Sequence, residues 1–173
     1  MSADAGKNSN SMGQMLGIVG GLVAGRYFGI QLLFPGIGWA LGAFLFGKLG
    51  PERSKPFSGA LAVQMGQFVW FISAIVILPD LWGAVAFDVV LLAVGILWLL
   101  LAPGLVSVIF LTVYQTVVLA INVVSVMGMG GGGEQFKPLL LHIILRILAI
   151  FLLGQGYATF HAASEVTPPK IAL

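Results

Sequence analysis

The chain has 173 residues, of which 59% are hydrophobic and only 8% charged, with a mean hydropathy of +1.06. Soluble domains carry roughly 25% charged residues, so this composition belongs to an integral membrane protein. Eight basic and six acidic side chains leave a formal charge of +2, which supplies no basic face for nucleic acid. The absence of cysteine excludes disulfides, thiolate metal sites and a cysteine nucleophile.

The first eleven residues form a polar tail, and residues 12–47 follow as a glycine-rich stretch. Gly13, Gly17, Gly21, Gly25 and Gly29 recur at every fourth position, and after Phe34-Pro35-Gly36 the period resumes with Gly38 and Gly42, with Gly50 in phase with those two. Glycine weakens a helix, so a regular ladder of it makes sense where two helices approach closely in lipid, where dispersion contacts replace the hydrophobic drive. A four-residue period drifts about 40° per step against the 3.6-residue turn, which favours a right-handed crossing. The pattern resembles the glycine-zipper membrane hairpins of bacterial envelope proteins, with Pro35-Gly36-Ile37-Gly38 as the turn. The resemblance covers residues 12–47 and implies close helix packing, a surface for a protein partner or a second copy, and no activity. Arg26 departs from it by placing a charge inside the first limb.

A helix needs roughly 20 apolar residues to cross a hydrocarbon core of about 30 Å. Four later stretches meet that length: residues 57–78, 81–102, 104–127 and 138–160. Pro79-Asp80, Pro103-Gly104 and the run Gly128 to Lys137 separate them, and the first two breaks are so short that consecutive helices must form antiparallel hairpins. Trp82 and Trp98 fall roughly 24 Å apart at helical rise, which suits two interfacial aromatic belts. The expected fold is therefore an all-α bundle of four transmembrane helices plus the glycine-zipper hairpin, five or six membrane segments within one domain over 12–160. A tail of residues 161–173 ends the chain.

Lysine and arginine in short loops orient membrane proteins, and residues 48–56 hold Lys48, Arg53 and Lys55. Placing that loop in the cytoplasm, alternation puts Pro79-Asp80 outside, Pro103-Gly104 inside, the glycine-rich loop outside, and both termini in the cytoplasm. A bacterial inner membrane is the expected location. Asp4 and Lys7 cancel ahead of a glycine-broken apolar stretch, so no secretory signal is expected.

An ionisable group at mid-membrane carries a penalty of roughly 2.5 to 3.5 kcal/mol, so such groups are functional candidates. Asp88, His142 and Arg146 fall inside the four long stretches. By helical rise Asp88 and Arg146 lie at matching depths of about 11 to 12 Å below the outer surface, so the two are expected to pair, with Arg26 as the rival cation. His142 shares the Arg146 face one turn nearer the outside. Thr112, Gln115, Asn122 and Ser125 form a polar stripe on one helix, and Gln64 and Gln67 stand three apart on another, with Gln67 and Gln115 near the midplane. Asp88, Arg146, His142, Asn122, Gln115 and Gln67 thus make up the candidate intramembrane polar cluster.

The glycine run after Met127 lacks the Gly-Lys-Ser/Thr ending of a phosphate cradle and reads as an extramembrane loop. His161 lies roughly 28 Å along its helix from His142, so the pair cannot ligate one haem. No Ser/His/Asp, paired-carboxylate or His-cluster arrangement suggests an enzyme, and neither metal nor cofactor is expected. Two functions stay open. One is an accessory, assembly or structural subunit of a membrane complex; the other is a small transporter or channel that uses Asp88, Arg146 and His142. No inverted repeat is visible beyond the glycine limbs, which favours the first.

Overall fold

The computed structural model describes residues 33–129 and 136–166, and among these every regular element is helical. Five α-helices follow one another: α1 (Leu33–Phe44), α2 (Ser58–Ile77), α3 (Trp82–Leu101), α4 (Leu105–Gly128) and α5 (Phe136–Val166). A π-helical turn, Leu45–Leu49, extends α1, and a 3₁₀ stretch, Glu52–Phe57, leads into α2. Three helical segments are long and apolar enough to cross a membrane: Glu52–Ile77, Leu105–Gly128 and Phe136–Ala163. The apolar stretch of α3, Val85–Leu101, is shorter, about 25 Å by helical rise. Pro79–Leu81 forms a 3₁₀ turn there, which consumes residues that a straight span would use.

The breaks fall where backbone chemistry requires them. Leu78 N–H closes α2 on the Ala74 carbonyl at 2.8 Å, and Pro79, which has no N–H to donate, ends the ladder. After Pro103, the Ser107 hydroxyl accepts from Gly104 N–H at 3.1 Å and lies 3.0 Å from the Gly104 carbonyl, which caps the start of α4. At its far end α5 runs to Val166, past the boundary at 160 expected for the membrane span. Residues 161–166 contain neither Gly nor Pro, so nothing in the backbone stops the helix where the apolar run ends.

The N-terminal region departs from the expected hairpin. The turn expected at Pro35-Gly36-Ile37-Gly38 lies within α1, whose described residues are continuously helical from Leu33 to Phe44. The glycines there serve close approach, and the neighbour is α2. A Cβ on Gly38 would come within 2.8 Å of the Met65 carbonyl oxygen, and one on Gly42 within 2.8 Å of Ala62 Cα. In return, a Cβ on Gly66 would meet the Pro35 carbonyl oxygen at 2.7 Å. Two backbones this close gain dispersion contacts along their whole crossing, which offsets glycine's weak helix propensity. Gly13, Gly17, Gly21, Gly25, Gly29 and Arg26 lie outside the described residues.

Helix α2 is the hub, packing on α1, α3 and α5. Helix α4 packs on α5 and, more lightly, on α3, closing a four-helix ring with α1 laid against its outer side. The larger apolar core joins Phe57, Leu61 and Phe71 to Leu92, Leu99, Leu111 and Leu153, and a smaller one gathers Val63, Trp70, Leu145 and Ala149 between α2 and α5. The outer faces of α3, α4 and α5 carry exposed Phe87, Leu101, Val106, Val124 and Phe151, as expected where the solvent is lipid.

Candidate functional site: a buried polar chain across four helices

Each helix of the ring contributes one or two polar side chains at a common level. The pairings of the α3–α4 hairpin follow from its short turn: Trp98 meets Phe110, Gly95 lies against Leu111, and Asp88 meets Tyr114. The α2–α5 pairing is antiparallel, with Gly59 against Leu152 and Trp70 against His142, and this sets Gln67 beside Arg146.

These registers connect into one chain of contacts. Tyr114 Oη donates to Asp88 Oδ1 at 2.9 Å. The other carboxylate oxygen of Asp88, Oδ2, lies 3.8 Å from Arg146 Nη2. Arg146 Nη1 donates to Gln115 Oε1 at 2.7 Å, and Gln115 Nε2 donates to Gln67 Oε1 at 2.9 Å. The guanidinium carbon also stands 5.3 Å from the centroid of the Tyr114 ring, a cation–π distance. The cation fixes the direction of the chain, because Gln115 must turn its oxygen toward Arg146 and so offers its amide hydrogens to Gln67. Arg146, Gln115 and Gln67 are fully buried, while the Asp88 side chain keeps 21% of its surface exposed. Opposite charges meeting in low dielectric, with hydrogen bonds on the remaining groups, lower the penalty that either alone would impose.

Of the six candidate residues, the structure brings together Asp88, Arg146, Gln115 and Gln67. His142 sits one turn along α5 and stacks on Trp70, with ring centroids 3.9 Å apart and planes 9° from parallel. Phe71 lies beyond it at 5.2 Å. Asn122 is half-buried and stands apart from the chain. Ser125, further along the same stripe, is exposed and returns its hydroxyl to the Ile121 carbonyl of its own helix. Among the described residues the stripe is thus fully buried only at Gln115.

Tyr114 was not singled out by its residue type, since an aromatic in an apolar helix reads as packing. The signal for it is the hairpin register, which sets the residue beside Gln115 opposite Asp88. A second polar feature is a groove of about 420 Å³ at the end of the bundle that carries Lys48, Arg53 and Lys55. It opens between Trp39 and Ala43 of α1, Ser58 and Gly59 at the start of α2, and Gln155 and Thr159 of α5. No group of three His, Asp or Glu side chains converges among the described residues. No protein-family model, curated protein or solved structure matches the chain.

Proposed function

We propose that this chain is a non-enzymatic integral membrane protein, acting as an accessory, assembly or structural subunit of a membrane complex. In this reading α2 to α5 cross the bilayer as four spans. The glycine-rich region 12–47 adds the fifth or sixth membrane segment and offers a surface to a protein partner or a second copy. The loop bearing Lys48, Arg53 and Lys55 faces the cytoplasm, as do both termini, and a bacterial inner membrane is the location.

The observation that carries the reading is the closure of the Arg146 guanidinium by Gln115, Asp88 and Tyr114 of two further helices, with Gln115 passing the chain on to Gln67 of a fourth. A cation held in this way fastens helices together and needs no substrate. The test is mild detergent extraction at native abundance, followed by identification of whatever co-purifies in stoichiometric amount. A defined heteromeric complex is the expected result, and recovery of this chain alone would contradict it.

One observation favours a second reading, a small transporter or channel. Polar atoms of Gln64, His142 and Arg146 are buried without hydrogen-bond partners beside the closed chain, which is how a solvent or ion path is lined. Ion flux in liposomes that contain only this protein, abolished by Asp88→Asn, would support it over the first.

A further inference from the structure

Among the described residues, five buried side-chain atoms have no hydrogen-bond partner: Gln64 Nε2 and Oε1, Gln67 Nε2, His142 Nδ1 and Arg146 Nε. All five belong to α2 and α5. The antiparallel register of these two helices orders the residues along a single seam. Trp70 marks the level of His142, Gln67 that of Arg146, and Gln64 lies one turn further toward the groove. The levels from His142 to Gln64 span about 9 Å by helical rise. Below Gln64 on the same two helices come Ala62, Ala60 and Ser58 on one side and Gln155 and Thr159 on the other, which are walls of the groove.

We propose that this seam is a hydrated half-channel: a file of water molecules enters from the groove at the basic end, passes Gln64, and reaches the Nε side of Arg146 and the ring of His142. This goes beyond the function proposed above, since it concerns solvent access and holds for a subunit and a carrier alike. Gln64 is entirely buried, yet neither its oxygen nor its nitrogen has a hydrogen-bond partner among the described residues. In a dry seam a leucine of similar size would pack there with no polar atom to desolvate, so glutamine is the unfavourable choice unless water reaches it. The mixture of atoms also selects the occupant. Gln67 Nε2 and Arg146 Nε can only donate, Gln64 Oε1 can only accept, and the His142 nitrogen takes either part. Water serves all of them, with about three hydrogen bonds per buried molecule. The guanidinium thereby has two unlike sides: Nη1 and Nη2 turn toward the protein chain, and Nε turns toward solvent.

Because the chain has no cysteine, a single introduced thiol reports on its own surroundings. Gln64→Cys in lipid nanodiscs is treated with 2-aminoethyl methanethiosulfonate, a small charged reagent whose sulfur a thiolate attacks, forming a mixed disulfide and releasing methanesulfinate, so that reaction requires a solvated cysteine. Leu92→Cys in the buried core and Val113→Cys on the exposed apolar face of α4 are the dry references. The expected result is modification of Gln64→Cys at least on the order of tenfold faster than either reference. Equal and slow rates at all three positions would overturn the proposal. Cysteine is smaller than glutamine and leaves space of its own, so the wild-type chain is measured as well. Its Gln64 side-chain amide resonance, assigned by its loss in Gln64→Leu, should exchange into heavy water faster than that of Gln115, which is held within the hydrogen-bond chain. Exchange as slow as that of Gln115 would likewise overturn it.

Discussion

Arg146 shows why the identity of a single residue matters in lipid. Its guanidinium uses three faces at once: Nη1 toward Gln115, Nη2 toward Asp88, and its plane near the Tyr114 ring. A lysine ammonium concentrates its charge at one point and cannot reproduce that fork, so Arg146→Lys should destabilise the bundle despite its conserved charge. Tyr114→Phe removes one hydrogen bond to a charged group and should lower stability by about 1.5 to 3 kcal/mol. Gln115→Leu should be worse, because it strands a buried guanidinium N–H and the Gln67 oxygen together. Thermal unfolding in one detergent, with all three variants side by side, checks the order. Asp88 and Arg146 were legible in the sequence because charge inside an apolar run cannot be mistaken for anything else, and counting helical rise placed them level. Tyr114 was not legible by type, because its hydroxyl acquires meaning only through the register that sets it against Asp88. The far half of the α4 stripe misled for the opposite reason: Asn122 and Ser125 lie on the expected face, but among the described residues Asn122 is only half-buried and Ser125 is exposed.

At the level of elements, the helices fall where the four apolar runs were expected, but only three are long and apolar enough to cross a membrane, the run 81–102 being the short one, and the glycines were read less well. Long apolar runs ended by Pro79 and Pro103 admit one interpretation as helices, since a proline donates no N–H to the ladder, whereas length as a span depends on how many residues the turn at Pro79–Leu81 takes. Pro35-Gly36 admits two, because glycine both makes turns and permits close helix contact. The structure uses Gly38 and Gly42 in the second way, against Ala62 and Gly66 of α2, and no periodicity within residues 12–47 could identify a partner that lies further along the chain. Substitution separates the two roles. In Gly42→Val the Cβ would meet backbone atoms of α2 at 2.8 Å, so α1 must move away and lose the crossing, with an expected loss of about 1 to 3 kcal/mol. Gly154→Ala in α5 has nothing within 4 Å of its new methyl and should gain up to about 1 kcal/mol from helix propensity. Measured unfolding midpoints that move the same way for both variants would remove close packing as the reason for Gly42.

For the molecule as a whole, the proposed topology sets Glu52 and Asp80 on opposite sides of the bilayer, since α2 is the helix between them and both residues are exposed. In intact cells an impermeant maleimide should label Asp80→Cys directly and Glu52→Cys only after permeabilisation; the reverse pattern would invert the assigned orientation. The four central helices of the bundle are fastened by the contact of Asp88 with Arg146 and its extension through Gln115 to Gln67. Removing one member of a buried pair strands the other charge, a loss of about 3 to 5 kcal/mol, whereas removing both leaves no orphan. The decisive measurement is therefore a double-mutant cycle of Asp88→Asn and Arg146→Gln, read by thermal unfolding of the whole protein in detergent. The double variant should lose less than the sum of the single losses, by a coupling of about 0.5 to 3 kcal/mol. Single losses that simply add would show that the two residues do not interact, and would contradict the claim that this polar chain holds the bundle together.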